Sequence, residues 1–142
     1  MRRPFPRCLV LPFVLALGAG ACDSTEEVPN VVTGPSQINI TETFTGTITK
    51  NGAVSFPFNA LSQGTATATL TAIAPDATIP IGISVGVWNG TSCTSAIAND
   101  NALQGFTLTA SVNAPGNLCL RLYDAGARIV DTITFTVEVI HP

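Results

Sequence analysis

Apolar residues recur at every second position along nearly the whole stretch from Ile38 to Ile140, the period of strands half-buried in a sheet. Ile38, Ile40, Phe44 and Ile48 share one face, with Thr41, Thr43, Thr45 and Thr47 on the other. Asn51-Gly52 follows as a hairpin turn, since both residue types tolerate positive φ. Val54, Phe56 and Phe58 form the next inward set, and Pro57, which has no N–H to donate, places that strand at an edge or a bulge. The inward sets Ala66-Ala68-Leu70-Ala72, Ile81-Ile83-Val85-Val87, Phe106-Leu108-Ala110-Val112, Leu118-Leu120-Leu122 and Ile133-Phe135-Val137-Val139 come next. Turn residues at Pro75-Asp76, at Ala114-Pro115-Gly116-Asn117 and at Asp124-Ala125-Gly126 separate several of them. With about seven strands and no helical period, the fold expected for 38–142 is all-β: an antiparallel two-sheet sandwich. Residues 89–103 show no period, so a loop is expected there, longer than most connections in compact domains.

Charge narrows the function classes. Only 11% of residues are charged, and beyond residue 21 the bases are Lys50, Arg121 and Arg128 against nine acids, a net charge of −6. Three scattered bases cannot neutralise a run of phosphates, which excludes nucleic acid. The one histidine, His141, stands beside the last residue, where fraying is expected, so Ser92 and Ser95 have no base to activate them. Neither enzyme activity nor a cofactor is expected. Asn99, Asp100 and Asn101 offer oxygens, yet calcium needs six to eight and the EF-hand spacing is missing, so no metal site is assigned. Nine aromatics, two of them in the first 21 residues, are too few for the girdles of a membrane barrel.

The N-terminus reads as an export address. Arg2, Arg3 and Arg7 precede the apolar run Leu9 to Leu17, and Ala19-Gly20-Ala21 supplies the small residues of a cleavage site, giving a signal peptide over 1–21. Ala19-Gly20-Ala21-Cys22 resembles the lipobox of bacterial lipoproteins, which implies acylation of Cys22 and a membrane anchor through an N-terminal lipid. Cysteine arithmetic agrees. Cys8 leaves with the signal, Cys93 and Cys119 pair in an oxidising compartment, and Cys22 is otherwise an odd exposed thiol. Residues 22–37, polar and holding Pro29, Gly34 and Pro35, form a flexible tether.

The domain resembles the bacterial pre-peptidase C-terminal family in four places. Phe44-Thr45-Gly46-Thr47-Ile48 leads into Val54, Ser55, Phe56 and Phe58, and the strand Ile81 to Trp88 ends in a loop. Thr107-Leu108-Thr109-Ala110 runs into the turn Ala114-Pro115-Gly116-Asn117. Leu118-Cys119-Leu120-Arg121-Leu122-Tyr123 stands where the family has its aromatic-rich strand. The resemblance implies a jelly-roll-like sandwich, secretion and a non-catalytic accessory role. The chain holds no protease domain of its own, a departure from the family's usual setting.

The expected partner site is the loop that opens on the only tryptophan, Trp88, because tryptophan is enriched at binding hot spots and loops carry function on rigid sandwiches. Trp88, Asn89, Asn99, Asp100 and Asn101 are its candidate residues, and a glycan or an envelope protein is its candidate partner. The function expected is a non-catalytic lipoprotein of the cell envelope. The alternative is a secreted, non-lipidated inhibitor or regulator of an extracellular protease that presents residues 88–103.

Overall fold

The computed structural model describes residues 37–142. The signal peptide 1–21, Cys22 and all of the tether except Gln37 lie outside the described residues. Eight strands follow one another: β1 (Ile40–Ile48), β2 (Ala53–Ala60), β3 (Gly64–Ala74), β4 (Ile81–Trp88), β5 (Cys93–Ala102), β6 (Thr107–Val112), β7 (Gly116–Tyr123) and β8 (Ile133–His141). They form two four-stranded antiparallel sheets, in the orders β1-β8-β3-β6 and β2-β7-β4-β5. The all-β sandwich expected from the period is the fold.

Alternation places one face of each strand between the sheets. Ile81, Ile83 and Val85 of β4 and Leu120 and Leu122 of β7 pack with Leu70 of β3, Leu108 of β6 and Ile133, Phe135, Val137 and Val139 of β8. Each such side chain contributes about 1.5–3 kcal/mol by leaving water. Asn51, at φ 55°, makes the β1–β2 turn, and the Gly52 N–H donates to the Thr49 carbonyl at 2.8 Å. Pro57 sits in β2, an edge strand, where a missing N–H costs least.

The two long edges of the sandwich differ. At the β1/β2 edge Phe44 stacks on Phe56 at 5.1 Å between ring centroids, and Phe56 meets Phe135 edge-on at 6.0 Å. Three aromatic rings seal that side. At the β5/β6 edge the corresponding side chains are small, Ala96 and Ala110 among them, and a cleft of 310 Å³ remains.

Several expectations need correction. Residues 89–103 are not a long loop: Asn89 to Ser92 make a tight turn and β5 follows at Cys93, which raises the strand count to eight. Nearly every β5 side chain is exposed and two register shifts interrupt its pairing with β4, so no period marks it. Ile38 precedes β1 and is 79% exposed. A shift between Leu70 and Ala72 flips the parity of β3, burying Ile73 and exposing Ala72. His141 does not fray. It ends β8 at 1% exposure, with Nε2 3.0 Å from Glu42 Oε1 and its ring 5.0 Å from that of Phe58. Pro142 is buried beside it, and its carbonyl accepts the Leu61 N–H at 2.8 Å.

Candidate functional site

The candidate residues named from sequence fall at opposite ends of β5. Trp88 pairs with Cys93 at its start, whereas Asn99, Asp100 and Asn101 lie near its end. Six residues of strand, about 20 Å, separate the two groups, so they do not form one site.

The far end is a polar brace. The Tyr123 hydroxyl donates to Asp100 Oδ1 across Gly82, where a Cβ would stand 2.3 Å from the ring. Arg128 Nη1 donates to the Asp100 carbonyl at 3.1 Å and to Asn101 Oδ1 at 2.7 Å, and Asn99 Oδ1 accepts the Asn101 N–H at 2.8 Å. Asp124 accepts the backbone N–H groups of Asn51, Arg128 and Ile129. Burial pulls its carboxyl up, but those three donors together with Lys50 outweigh it and hold the group below its ordinary value. These residues bond one another, which fixes β5, the β1–β2 turn and the β7–β8 connection together.

Tyr123 makes the brace testable. Burial, then the bond to Asp100 and that carboxylate's charge, push its phenol from 10.0 up to about 12, against a smaller opposing pull from Arg121. A raised phenol stabilises the fold fully below pH 10, and that contribution is lost as pH rises toward 12. Tyr123→Phe is therefore expected to flatten the alkaline limb of a Tm–pH profile between those values. An unchanged limb would show that the hydrogen bond carries no stability.

At the near end Asn89 builds the turn. Its Oδ1 accepts the N–H groups of Thr91 and Ser92 and the Thr91 hydroxyl, and Nδ2 donates to Ser92 Oγ at 2.9 Å. That internal bonding fixes the turn and occupies the side-chain oxygen of Asn89. Cys93 and Cys119 form the expected disulfide, with Cα atoms 5.7 Å apart. They belong to strands on either side of β4, and strands two apart normally lie about 9.5 Å from each other. The start of β5 thus leans over the outer face of β4. Gly86 permits this: a Cβ there would stand 1.9 Å from the Thr94 carbonyl oxygen.

Beside this braced hairpin lies the cleft at the open edge. Val85, Val87, Ala110, Val112 and Leu118 give it apolar walls, and no charged residue lines it. Val87 points to the inside of the sandwich, two residues on from the buried Val85, yet is 56% exposed. Ile97, paired with Val85 and so on the same side, is 39% exposed. Trp88, the next residue after Val87, is half-buried. Inward side chains left in water with a hollow alongside are an unfinished piece of core, and this edge is the candidate docking site. Val87, Ile97 and Ala110 were not singled out from sequence. The pattern marks Val87 and Ala110 as core, and nothing in it shows that a cleft separates them.

No protein-family model and no curated protein matches the chain. Two solved structures share its fold. One is PliG of Aeromonas hydrophila, a periplasmic inhibitor of g-type lysozyme, at 17% identity over 71% of this chain and 86% of that one, with a TM-score of 0.51. The other is the Yersinia pseudotuberculosis-derived mitogen, at 15% identity over 74% of this chain and 88% of that one, with a TM-score of 0.53. At these identities the likeness is one of fold.

Proposed function

We propose that the chain is an exported, non-catalytic binding module of the cell envelope, anchored by a lipid on Cys22, that engages a protein partner through its β5/β6 edge. The observation that carries this reading is a pair of inward-facing apolar side chains left exposed on a disulfide-braced hairpin: Val87, which lines an uncharged cleft, and Ile97, which follows the cleft residue Ala96. Singly exposed apolar residues are ordinary, but apolar side chains grouped around a groove mark a site that a partner can cover. Export is supported by the disulfide, which persists in oxidising compartments, and by the periplasmic setting of PliG. The pre-peptidase-type accessory role belongs to the same reading, as a module that binds beside an enzyme. Inhibition is the form of binding that the PliG description names, so g-type lysozyme is the first partner to assay.

Two variants test the two halves. Cys22→Ala is expected to move the protein from the membrane fraction to the soluble fraction and to remove the mass of the acyl chains. Continued partition with membranes would sink the anchor. Ile97→Lys, which puts a charge on the exposed inward side of β5 next to the cleft residue Ala96, is expected to abolish retention of the envelope protein that the native mature chain captures, with little change in Tm. Equal retention by both proteins would remove this edge as the site.

A further inference from the structure

Each of the four edge strands exposes a row of unpaired backbone groups, and three are protected against pairing with another chain. β2 carries Pro57. β5 is broken by register shifts at two places. β1 points a charged residue, Glu42, to the inner side, where it meets His141. Prolines, bulges and inward charges are the devices that blunt sheet edges. β6, Thr107-Leu108-Thr109-Ala110-Ser111-Val112, has none of them. Its pairing with β3 runs from Gly64–Val112 to Thr69–Thr107 without a shift, so its free edge is regular. The unguarded strand also lines the apolar cleft, with Ala110, Ser111 and Val112.

We infer that β6 is a strand-accepting edge: an extended segment of a partner protein, apolar at alternate positions, pairs with β6 and sends those side chains into the cleft beside Val87. The inference rests on the docking edge proposed above and names the partner's conformation and chemistry. A strand added beyond β6 continues its sheet, so every second side chain points between the sheets. There it covers the inward faces of Val87 and Ile97, which are 56% and 39% exposed at this edge. β6 itself sends three side chains inward, Leu108, Ala110 and Val112, so an added strand of matching length brings three more. The cleft volume of 310 Å³ lies at the lower end of the range that binding pockets occupy, about 300–1,000 Å³. The lining excludes charge at those positions, since a buried lysine or glutamate would find no counter-ion. A second copy of this chain is a poorer occupant. Its own β6 side chains already lie in its own core, so pairing two β6 edges leaves both clefts unfilled.

The probe is a synthetic peptide, Thr-Val-Thr-Val-Thr-Val-Thr with a C-terminal lysine amide, titrated against the full mature chain. Two further peptides carry N-methyl groups, one on all valines and the other on the internal threonines. The parent peptide is expected to bind saturably. One methylated peptide is expected to lose about tenfold or more in affinity, because its blocked N–H groups face β6, while the other binds as the parent does. Ala110→Leu, which fills the cleft from an open position, is expected to weaken the parent by a similar factor without lowering Tm. Equal binding by all three peptides would overturn strand addition and leave a side-chain site at Val87 and Ile97. A failure of every peptide, with a protein partner still lost on Ile97→Lys, overturns strand addition alone. Failure of both assays removes the docking edge as well. A dimer seen by sedimentation and broken by Ser111→Pro would assign the edge to a second copy instead.

Discussion

Gly86→Ala is expected to lower stability by about 3 kcal/mol or more and to release β5 from the sheet. A single added methyl group usually costs far less, because a neighbouring side chain yields. Here the nearest atoms are backbone: the Thr94 carbonyl oxygen at 1.9 Å, its carbon at 2.7 Å and the Ser95 Cα at 2.8 Å. No rotamer change relieves them, so the start of β5 must lift off β4. The disulfide resists that movement, since Cys93 is tied to Cys119 on the far side of β4. Gly116→Ala is the control, because a Cβ there meets nothing within 4 Å and its φ is not positive. That variant is expected to leave Tm unchanged or slightly raised. Thermal melts of the two variants, with hydrogen exchange at the β5 amides, check the result. Equal Tm for both would show that β5 does not lean on β4 as described.

Gly86 also shows where the sequence stops being informative. Its place in an alternating strand identifies the strand but not the neighbour that crosses above it. The inward faces of β2, β4, β7 and β8 are legible because burial on one side imposes strict alternation. The Asn51-Gly52 turn is legible from backbone conformation, and the Cys93–Cys119 pair from compartment and count. β5 is not legible, since an edge strand with both faces in solvent has no burial to impose a period. The proposed docking edge is not legible for a related reason. Val87 has the sequence signature of a core residue, and the small Ala96 and Ala110 that line the cleft beside it belong to other strands. Trp88 lies at the end of the hairpin where docking is proposed, while Asn99, Asp100 and Asn101 lie at the other end, within the polar brace. His141 was misplaced because proximity to the last residue says nothing about packing. Strand β8 pairs with β1 through Ile40–His141, its last position.

Removing the disulfide, with Cys93→Ser and Cys119→Ser together, is expected to cost about 3.5 kcal/mol by the chain-entropy relation for a closed loop of 26 residues. For a domain of this size that loss corresponds to a fall in Tm of about 10–20 °C. The measurement belongs in a Cys22→Ala background, so that no third thiol confuses the comparison. The loop closed by the bond contains β5, β6 and their connections, the elements that form the open edge. Their contacts across the cleft are sparse, and the β7 and β8 ladders lie in the interior of their sheets. Loss of the bond should therefore be uneven. The amides of β5 from Cys93 to Ile97 are expected to gain exchange well before those of β7 and β8, and binding at Ile97 is expected to weaken even at temperatures where the core stays folded. A Tm within a few degrees of the parent, with β5 still protected, would mean that backbone pairing and Gly86 alone hold the hairpin. A uniform loss of protection would mean that the edge and the core unfold as one unit, and that the bond serves stability rather than the shape of a docking edge.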